Sequence, residues 1–323
     1  MFQVSTPSRL CLFGEHQDYL GLEVIASAID LRFAATVTER DDDIIHILIR
    51  DSSIDSLNAQ NDNNLYQEYT IHLKEPITYR NNRDYLNSSV NLLLKNGYEL
   101  RGADIKMDSE IPIGKGMCSS STMIIVLIKA LLERIGHPDK DDVKKIAYLG
   151  FAAEVLEFNE PGGMMDHYTS AIGGLVHLNF RSDVTAERID QNVGGGFILF
   201  DSLQQKDTTK VLAASKIPTL EALEQLKPYG AGSVRDFYED ENKLELLNKL
   251  DDFRKRKLTA NINNYRILQE ALALLRGPQI DPQKLGRLIY QHQENLRDGL
   301  GISTETIDAI LETAMNHLSL IHI

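Results

Sequence analysis

Apolar and polar residues alternate through much of the first half of the chain. Alternation of this kind predicts strands, because successive side chains of a strand point to opposite faces of a sheet. On this basis strands are predicted at residues 2–13, 32–38, 44–49, 69–73, 103–111 and 175–180. A further strand is predicted in the segment FILFDS, after the glycines at 194–196. The polar residues 51–68 are predicted to form a loop.

Helices are predicted where apolar residues recur every three or four positions. These segments are 83–96, the apolar run that ends near 135, 139–158, and in the last third of the chain 251–276, 282–298 and 303–315. Strands and helices do not alternate one by one, which argues against a doubly wound parallel sheet. The pattern therefore predicts an α+β fold with antiparallel pairing.

The stretch SEIPIGKGMCSSST at 109–122 leads into the longest apolar run. Gly114 and Gly116 allow a tight turn, and three serines stand where the helix begins. Unpaired N–H groups and the dipole at a helix start favour an anion, so the stretch predicts a phosphate-binding loop. It is not a Walker A loop, because Lys115 is followed by Gly116 rather than by Ser or Thr. The alternative is that the serines only cap the helix.

Composition narrows the class of partner. The net charge of −13 argues against nucleic acid, because phosphate backbones attract basic surfaces. Cys11 and Cys118 provide neither a disulfide framework nor a C-x-x-C motif, so a reducing, cytoplasmic location is predicted. No signal peptide is predicted at the N-terminus. The apolar run around Lys129 is too short to cross a membrane.

A polar cluster follows the first predicted strand, in the sequence GEHQDYLG at 14–21, with Arg9 shortly before it. Its two carboxylates, imidazole and phenol suit hydrogen bonds to the hydroxyls of a polyol. The alternative is a solvated loop.

A second cluster pairs Glu154 with Asp166, which follows a Gly-rich turn. Two such carboxylates suit a metal and a base. The alternative is a surface glutamate and a helix-capping aspartate. His167 is interpreted as a hydrogen-bonded structural residue. Cys118 is not favoured as a nucleophile, because no His or Asn partner is indicated and buried cysteines are usually inert.

In this order and spacing, the clusters resemble the GHMP kinases, the superfamily of galactokinase, homoserine kinase, mevalonate kinase and phosphomevalonate kinase. Residues 7–29 resemble the first galactokinase motif, P-G-R-x-N-L-I-G-E-H-x-D-Y-x-G. Residues 111–122 are similar to P-x-G-A-G-L-S-S-S-A, and residues 161–174 resemble C-G-I-M-D-Q-x-x-S-x-x-G. Residues 285–308 are similar to the superfamily's C-terminal helical motif.

The resemblance implies a two-domain GHMP kinase fold that binds ATP and substrate between its domains. The N-terminal domain, expected at 1–185, is a ribosomal-protein-like α+β domain. The C-terminal domain, expected at 186–323, is ferredoxin-like and incomplete.

The resemblance also implies site residues. It makes Asp166 the catalytic aspartate and Arg9 the arginine that keeps it ionised. Magnesium would be bound by Glu154 with Ser119 or Ser120. The sugar-binding residues would be Glu15, His16, Asp18 and Tyr19. The ATP phosphates would be bound by Gly114, Lys115, Gly116, Cys118, Ser119, Ser120 and Ser121.

Several positions depart from the superfamily pattern. Lys115 stands where the family prefers Ala, and Cys118 where it has Ser or Gly. The segment FDSLQQKDTTKVLAASK lacks the tyrosine of the galactokinase run S-E-Y-P-x-R-R, which leaves the identity of the sugar open. Residues 83–90 lack the tryptophan of W-x-N-Y-V-x-G, which leaves the adenine contacts open. The third, glycine-rich motif does not follow Ala314, so we expect a C-terminally truncated chain.

The sequence therefore predicts an enzyme that phosphorylates a small sugar hydroxyl with ATP and Mg²⁺ and gives a sugar 1-phosphate. One alternative is a GHMP kinase for another small alcohol or sugar derivative. Another is a non-catalytic relative that binds sugar and nucleotide. A general hydrolase would need a nucleophile–His pair that is not found. The expected partners are the sugar and ATP, with neither nucleic acid nor a membrane, and the oligomeric state is not predicted.

Overall fold

The computed structural model describes residues 1–50, 66–112, 114–191, 193, 196–204 and 208–317. They form two compact units. Unit 1 contains Met1–Leu10 and Ala28–Gly174, and unit 2 contains Cys11–Ser27 and the chain from Leu175 onward. The domain assignment at 1–185 and 186–323 stays a prediction.

The sheet of unit 1 is mixed. Strand β1 (Phe2–Phe13) pairs with β2 (Glu23–Glu39), and both strands continue into unit 2. Within unit 1, β2 pairs antiparallel with β5 (Ala103–Ser109), β5 runs parallel to β3 (Ile44–Arg50), and β3 pairs antiparallel with β4 (Tyr66–His72). The register sets Ala35 opposite Met107 and Val37 opposite Ile105, and all four side chains are buried. The two-residue period of the sequence therefore supplies one apolar face to the core.

The described residues of unit 1 also form four α-helices: α1 (Tyr85–Lys95), α2 (Ser119–Arg134), α3 (Val143–Phe151) and α4 (Met165–Ile172). Helix α2 is apolar on almost every side, which is typical of a helix buried in a core. Its residues Ile124 to Ile128 are fully buried among the side chains of the sheet and of α1 and α3. The chain leaves α2 at Gly136, whose φ of +63° suits a residue without Cβ.

Unit 2 combines short strands with helices. The first residues of β2 pair with β6 (Leu175–Asn179), and β6 pairs with β7 (Thr185–Arg188). The helices are α5 (Thr208–Leu226), α6 (Val234–Glu239), α7 (Asp252–Leu275), α8 (Pro282–Glu294) and α9 (Glu305–His317). In the described part of the chain, no helix combines the length and apolar character that a membrane crossing requires.

Two predictions of local structure are wrong. The helix predicted at 139–158 is broken into a 3₁₀ turn (Pro138–Asp141), α3 and a π-helical turn (Ala152–Leu156), because Asp142 caps the N-terminus of α3. The segment FILFDS forms no strand. Its residues 197–200 are exposed, and no described strand pairs with their backbone groups.

The predicted loop at 51–68 falls mostly outside the described residues, and its last three residues belong to β4. Gly194, Gly195 and residues 318–323 also lie outside them.

A buried carboxylate joins the strands and helices of unit 2. Glu23 accepts hydrogen bonds from Tyr265 (3.2 Å) and Gln269 (2.5 Å) on α7, and its Oε2 lies 3.4 Å from His177 Nε2 on β6. Arg235 on α6 lies 3.7 Å away. Burial alone would raise the pKa of Glu23, but the hydrogen bonds from His177 and Gln269 and the nearby cations lower it from 4.5 to about 2.

This lowered pKa predicts a pH dependence of folding. The native state keeps Glu23 ionised at pH values where the unfolded chain takes up a proton. The resulting stabilisation is complete above about pH 4.5 and is lost as the pH falls toward 2. In Glu23→Gln, we expect the free energy of unfolding measured in urea to fall less steeply between pH 5 and 3, by about 2 kcal/mol over that interval.

The exposed carboxylate Glu99 provides the control, because Glu99→Gln should keep the wild-type slope. An equal slope in Glu23→Gln and wild type would contradict the assignment of this pH dependence to Glu23.

Candidate active site

The predicted phosphate loop is a left-handed turn at the start of α2. Gly114 and Gly116 have φ of +72° and +76°, and a Cβ atom at either position would meet nothing within 4 Å. The backbone conformation, rather than lack of space, therefore accounts for glycine here. Cys118, which directly precedes α2, is also left-handed with φ of +47°, a conformation that is strained for a residue with a side chain.

Strand β1 holds this turn against α2. The Ser8 hydroxyl on β1 donates to the Met117 carbonyl of the turn (2.8 Å). From α2, the Thr122 amide donates to the Cys118 carbonyl (2.9 Å). No side chain caps the first turn of α2, so its N–H groups keep their capacity for an anion. Burial raises the pKa of the Cys118 thiol, which favours a packing role for its side chain.

Arg9 connects this loop to Asp166. The Arg9 Nε donates to Asp166 Oδ1 (2.8 Å), its second terminal nitrogen lies 2.6 Å from the same oxygen, and Nη1 donates to the Gly116 carbonyl (3.0 Å). Arg9 is buried on β1, whereas the side chain of Asp166, in the first turn of α4, is 28% exposed. The buried guanidinium therefore fixes an accessible carboxylate next to the phosphate loop.

Glu154 lies within hydrogen-bond distance of three residues at the centre of unit 1. Ser120 donates to Oε1 (2.6 Å), Ser121 donates to Oε2 (2.7 Å), and His167 Nε2 lies 2.7 Å from Oε2. Burial would raise the pKa of Glu154, but the hydrogen bonds from His167 and the two serines lower it below its ordinary value. The carboxylate is therefore a buried anion at the start of α2.

The π-helical turn places Glu154 in this position. Residues Ala152–Leu156 continue the axis of α3 with one extra residue in the turn, and π-helical turns are frequent at functional sites. All four residues Ala152–Val155 are buried.

The donor set around Glu154 fits a magnesium ion. Mg²⁺ prefers oxygen ligands and is usually bound by one or two carboxylates together with substrate phosphates and waters. The Glu154 carboxylate and the Ser120 hydroxyl provide such oxygens. No group of three or more His, Cys, Asp or Glu in the described ranges is arranged to hold a metal, so an ion here would need further ligands from phosphates and water.

The predicted sugar-binding residues lie on the loop after β1, in unit 2. His16 has φ of +64°, and its Nδ1 lies 3.0 Å from the Tyr19 hydroxyl. Asp18 begins a 3₁₀ turn and accepts a hydrogen bond from the Tyr19 amide (2.9 Å). Burial raises the pKa of Tyr19, so the phenol remains a hydrogen-bond donor. Glu15 is partly exposed, and its carboxylate lies 3.9 Å from His16 Nε2.

Three helices of unit 2 anchor this loop. Gly14 donates its amide to His292 Nε2 on α8 (3.1 Å), and burial lowers the pKa of His292 to about 4, which keeps Nε2 an acceptor. Gln17, fully buried, donates to the Asn261 carbonyl on α7 (2.7 Å). Arg235 on α6 donates to the Gly21 carbonyl (2.7 Å).

The structure therefore brings together most of the sequence-predicted residues of unit 1. Ser119 shows no described hydrogen bond to Glu154, so Ser120 is the better of the two serines predicted for the metal. Lys115 is exposed. Sequence reasoning missed the contacts of His167 with Glu154 and of Gln17 with α7. The only available signal was that each is a polar residue next to a predicted site residue, Asp166 or Asp18.

Comparisons with known proteins match both segments of the chain that carry predicted site residues. Residues 84–174 match the family described as GHMP kinases N terminal domain, and residues 2–39 match the galactokinase galactose-binding signature. The galactokinase of Thermotoga neapolitana is 28% identical over 316 residues, which cover 96% of this chain and 81% of that protein. The galactokinase of Glaesserella parasuis is 28% identical over 322 residues, which cover 96% of this chain and 78% of that protein.

Solved structures agree in fold. Lactococcus lactis galactokinase complexed with galactose has a TM-score of 0.77 at 16% identity, covering 98% of this chain and 79% of that one. Methanococcus jannaschii mevalonate kinase has a TM-score of 0.65 at 19% identity, covering 98% of this chain and 84% of that one. The predicted α+β GHMP kinase fold class is confirmed by these similarities.

The anchoring of the loop at 14–21 leads to a test. In Gln17→Leu, the side chain can no longer donate to Asn261, and we expect the free energy of unfolding to fall by about 1 kcal/mol. Amide hydrogen exchange at Gln17, Leu20 and Gly21, whose N–H groups bond within the loop, should become faster. Exchange measured by mass spectrometry on peptides from 14–22 checks this.

The exposed Gln283 offers a matched control, since Gln283→Leu should leave exchange in these peptides unchanged. Wild-type exchange in Gln17→Leu would show that this hydrogen bond does not hold the loop.

Proposed function

Since this chain is a galactokinase-like member of the GHMP kinase superfamily and a small-molecule kinase, we propose that it transfers the terminal phosphoryl group of ATP, with Mg²⁺, to a hydroxyl of a small sugar. The anomeric hydroxyl is the proposed acceptor, so that the product is a sugar 1-phosphate. The galactokinase signature at 2–39 and the galactokinase relatives support a sugar as the acceptor class.

The observation that carries the proposal is the position of Arg9. Its guanidinium hydrogen-bonds both the Asp166 carboxylate and the Gly116 carbonyl of the turn before α2. A carboxylate is thereby held beside a helix N-terminus suited to phosphate. Phosphoryl transfer depends mainly on such positioning and on neutralisation of charge, rather than on covalent help from the protein.

The residues of unit 1 support the following reaction. The free N–H groups at the start of α2 bind the phosphate oxygens of ATP. Asp166 accepts the proton of the sugar hydroxyl as its oxygen forms a bond to the terminal phosphorus. The bond from that phosphorus to the bridging oxygen breaks, and ADP leaves. Arg9 keeps the Asp166 carboxylate oriented through its hydrogen bond and ion pair.

Magnesium would be held by Glu154 and Ser120, with the ATP phosphates as further ligands. When bound, it neutralises charge on the phosphates. The protein contributes an ionised carboxylate at this position, which the hydrogen bonds from His167, Ser120 and Ser121 stabilise.

For the sugar, we propose Glu15, His16, Asp18 and Tyr19 as hydroxyl ligands. Carboxylates and a buried phenol that donates suit the mixed donor and acceptor character of sugar hydroxyls. Anchoring by His292, Asn261 and Arg235 supports a preorganised loop.

An ADP-release screen tests the proposal and identifies the acceptor. Galactose, N-acetylated hexosamines, arabinose, fucose and uronic acids are offered with ATP and Mg²⁺ to the wild type and to Asp166→Asn. We expect ADP release with at least one sugar. Asp166→Asn should lower kcat by about 10² to 10⁴-fold, because a general base is removed, while ATP binding stays within about twofold.

The exposed Asp183 provides the matched control, and Asp183→Asn should turn over like the wild type. Near-wild-type turnover by Asp166→Asn would refute the assigned base. The absence of ADP release with every sugar would favour a non-catalytic binding protein.

The magnesium assignment has a separate test. Glu154→Gln removes the charge but preserves the shape, so the affinity for a non-hydrolysable ATP analogue in Mg²⁺ should fall about tenfold or more. The affinity measured by calorimetry in EDTA should change little.

Glu157→Gln, three residues further along the chain, is the control and should show wild-type affinity in both buffers. An equal loss with and without Mg²⁺ would mean that Glu154 stabilises the loop rather than the metal.

A further inference from the structure

A cavity of about 390 Å³ lies in unit 1, and none of the loop residues 114–121 belongs to its lining. Its lining includes Ser5 on β1, Arg32 on β2, Lys129 on α2, and residues 170–174, which comprise the end of α4 and the two glycines after it. Lys129 is ten residues beyond Ser119 along α2, which corresponds to about 15 Å of helix. The volume lies in the range of small-molecule sites.

The charges of the lining have one sign. Two cations, Arg32 and Lys129, line the cavity, and none of the described lining residues is acidic. This is unusual in a chain with 47 acidic and 34 basic residues. The lining therefore favours an anion.

Both cations keep donors for a ligand. Lys129 is half-buried and makes neither a hydrogen bond nor an ion pair with the described residues. Arg32 is oriented by Ser5, because its Nε donates to Ser5 Oγ (2.9 Å) and one terminal nitrogen donates to the Ser5 carbonyl (3.2 Å). Its other terminal nitrogen has no partner among the described residues, so N–H groups remain for an anion.

The end of α4 adds acceptors. The last carbonyls of a helix have no donor within the helix, and the last three residues of α4, Ser170 to Ile172, belong to the lining. The partial negative charge of a helix C-terminus disfavours an anion in direct contact with it but suits hydroxyl donors. A ligand that matches the whole cavity therefore carries an anionic group at one end and hydroxyls at the other.

We propose that this cavity is a second ligand site that binds a small phosphorylated polyol. Its phosphate contacts Lys129 and Arg32, and its hydroxyls donate to the carbonyls at the end of α4. Such a ligand would contact Lys129 in the C-terminal half of α2 and the C-terminal end of α4. The N-terminal turns of the same two helices carry Ser120 and Asp166. The proposal does not depend on the proposed kinase reaction.

Calorimetric titration of the full chain with glycerol 3-phosphate tests this site, with inorganic phosphate and glycerol as separate probes. We expect glycerol 3-phosphate to bind more tightly than either probe. Lys129→Met keeps the apolar stem of the side chain and removes the charge, so it should weaken binding about tenfold or more. Arg32→Gln should weaken it as well.

The exposed Lys145 provides a matched control for loss of one positive charge, and Lys145→Met should bind like the wild type. If Lys129→Met does not fold, as judged by thermal unfolding, Arg32→Gln, at an exposed position, decides whether the cavity binds the phosphate group. Undetectable binding at millimolar concentration, or equal binding by the wild type and the Lys129 and Arg32 variants, would overturn the site. Equal affinity for inorganic phosphate would overturn the assignment of a polyol.

Discussion

The candidate site of unit 1 depends on one buried negative charge. A carboxylate removed from water must be compensated by donors, and Glu154 receives them from Ser120 and Ser121 and from His167. Because these residues lie on α2 and α4 and Glu154 follows α3, the charge connects three helices around one point. The same network fixes the start of α2 and the first turn of α4, so the phosphate loop and Asp166 are positioned together.

The loop at 14–21 obeys a different constraint. It has almost no regular structure of its own, and its position is set by a hydrogen bond at each end and one in the middle. The central bond comes from Gln17, which is buried between residues proposed to face the sugar. A loop held in this way loses little conformational entropy on binding, because its backbone is ordered before the ligand arrives.

The sequence predicts local features of this molecule better than long-range contacts. Apolar periodicity gives β3, β5 and α2 with bounds close to those observed, and the glycines at 114 and 116 give the left-handed turn. Apolar periodicity does not predict the break after α3, because Ala152–Leu156 keeps an apolar pattern while its hydrogen bonding changes. The contact of His167 with Glu154 spans 13 residues and requires α4 to fold back, so no local pattern indicates it.

The π-helical turn at Ala152–Leu156 also restricts how this protein can change during evolution. Successive residues of a helix point about 100° apart, so deletion of one residue here would restore regular α-helix and rotate every later side chain away from its present neighbours. Exchanges of apolar side chains in this segment preserve the direction of Glu154, whereas a change in length does not. We therefore expect insertions and deletions to be excluded between α3 and Leu156, even where the amino acids themselves vary.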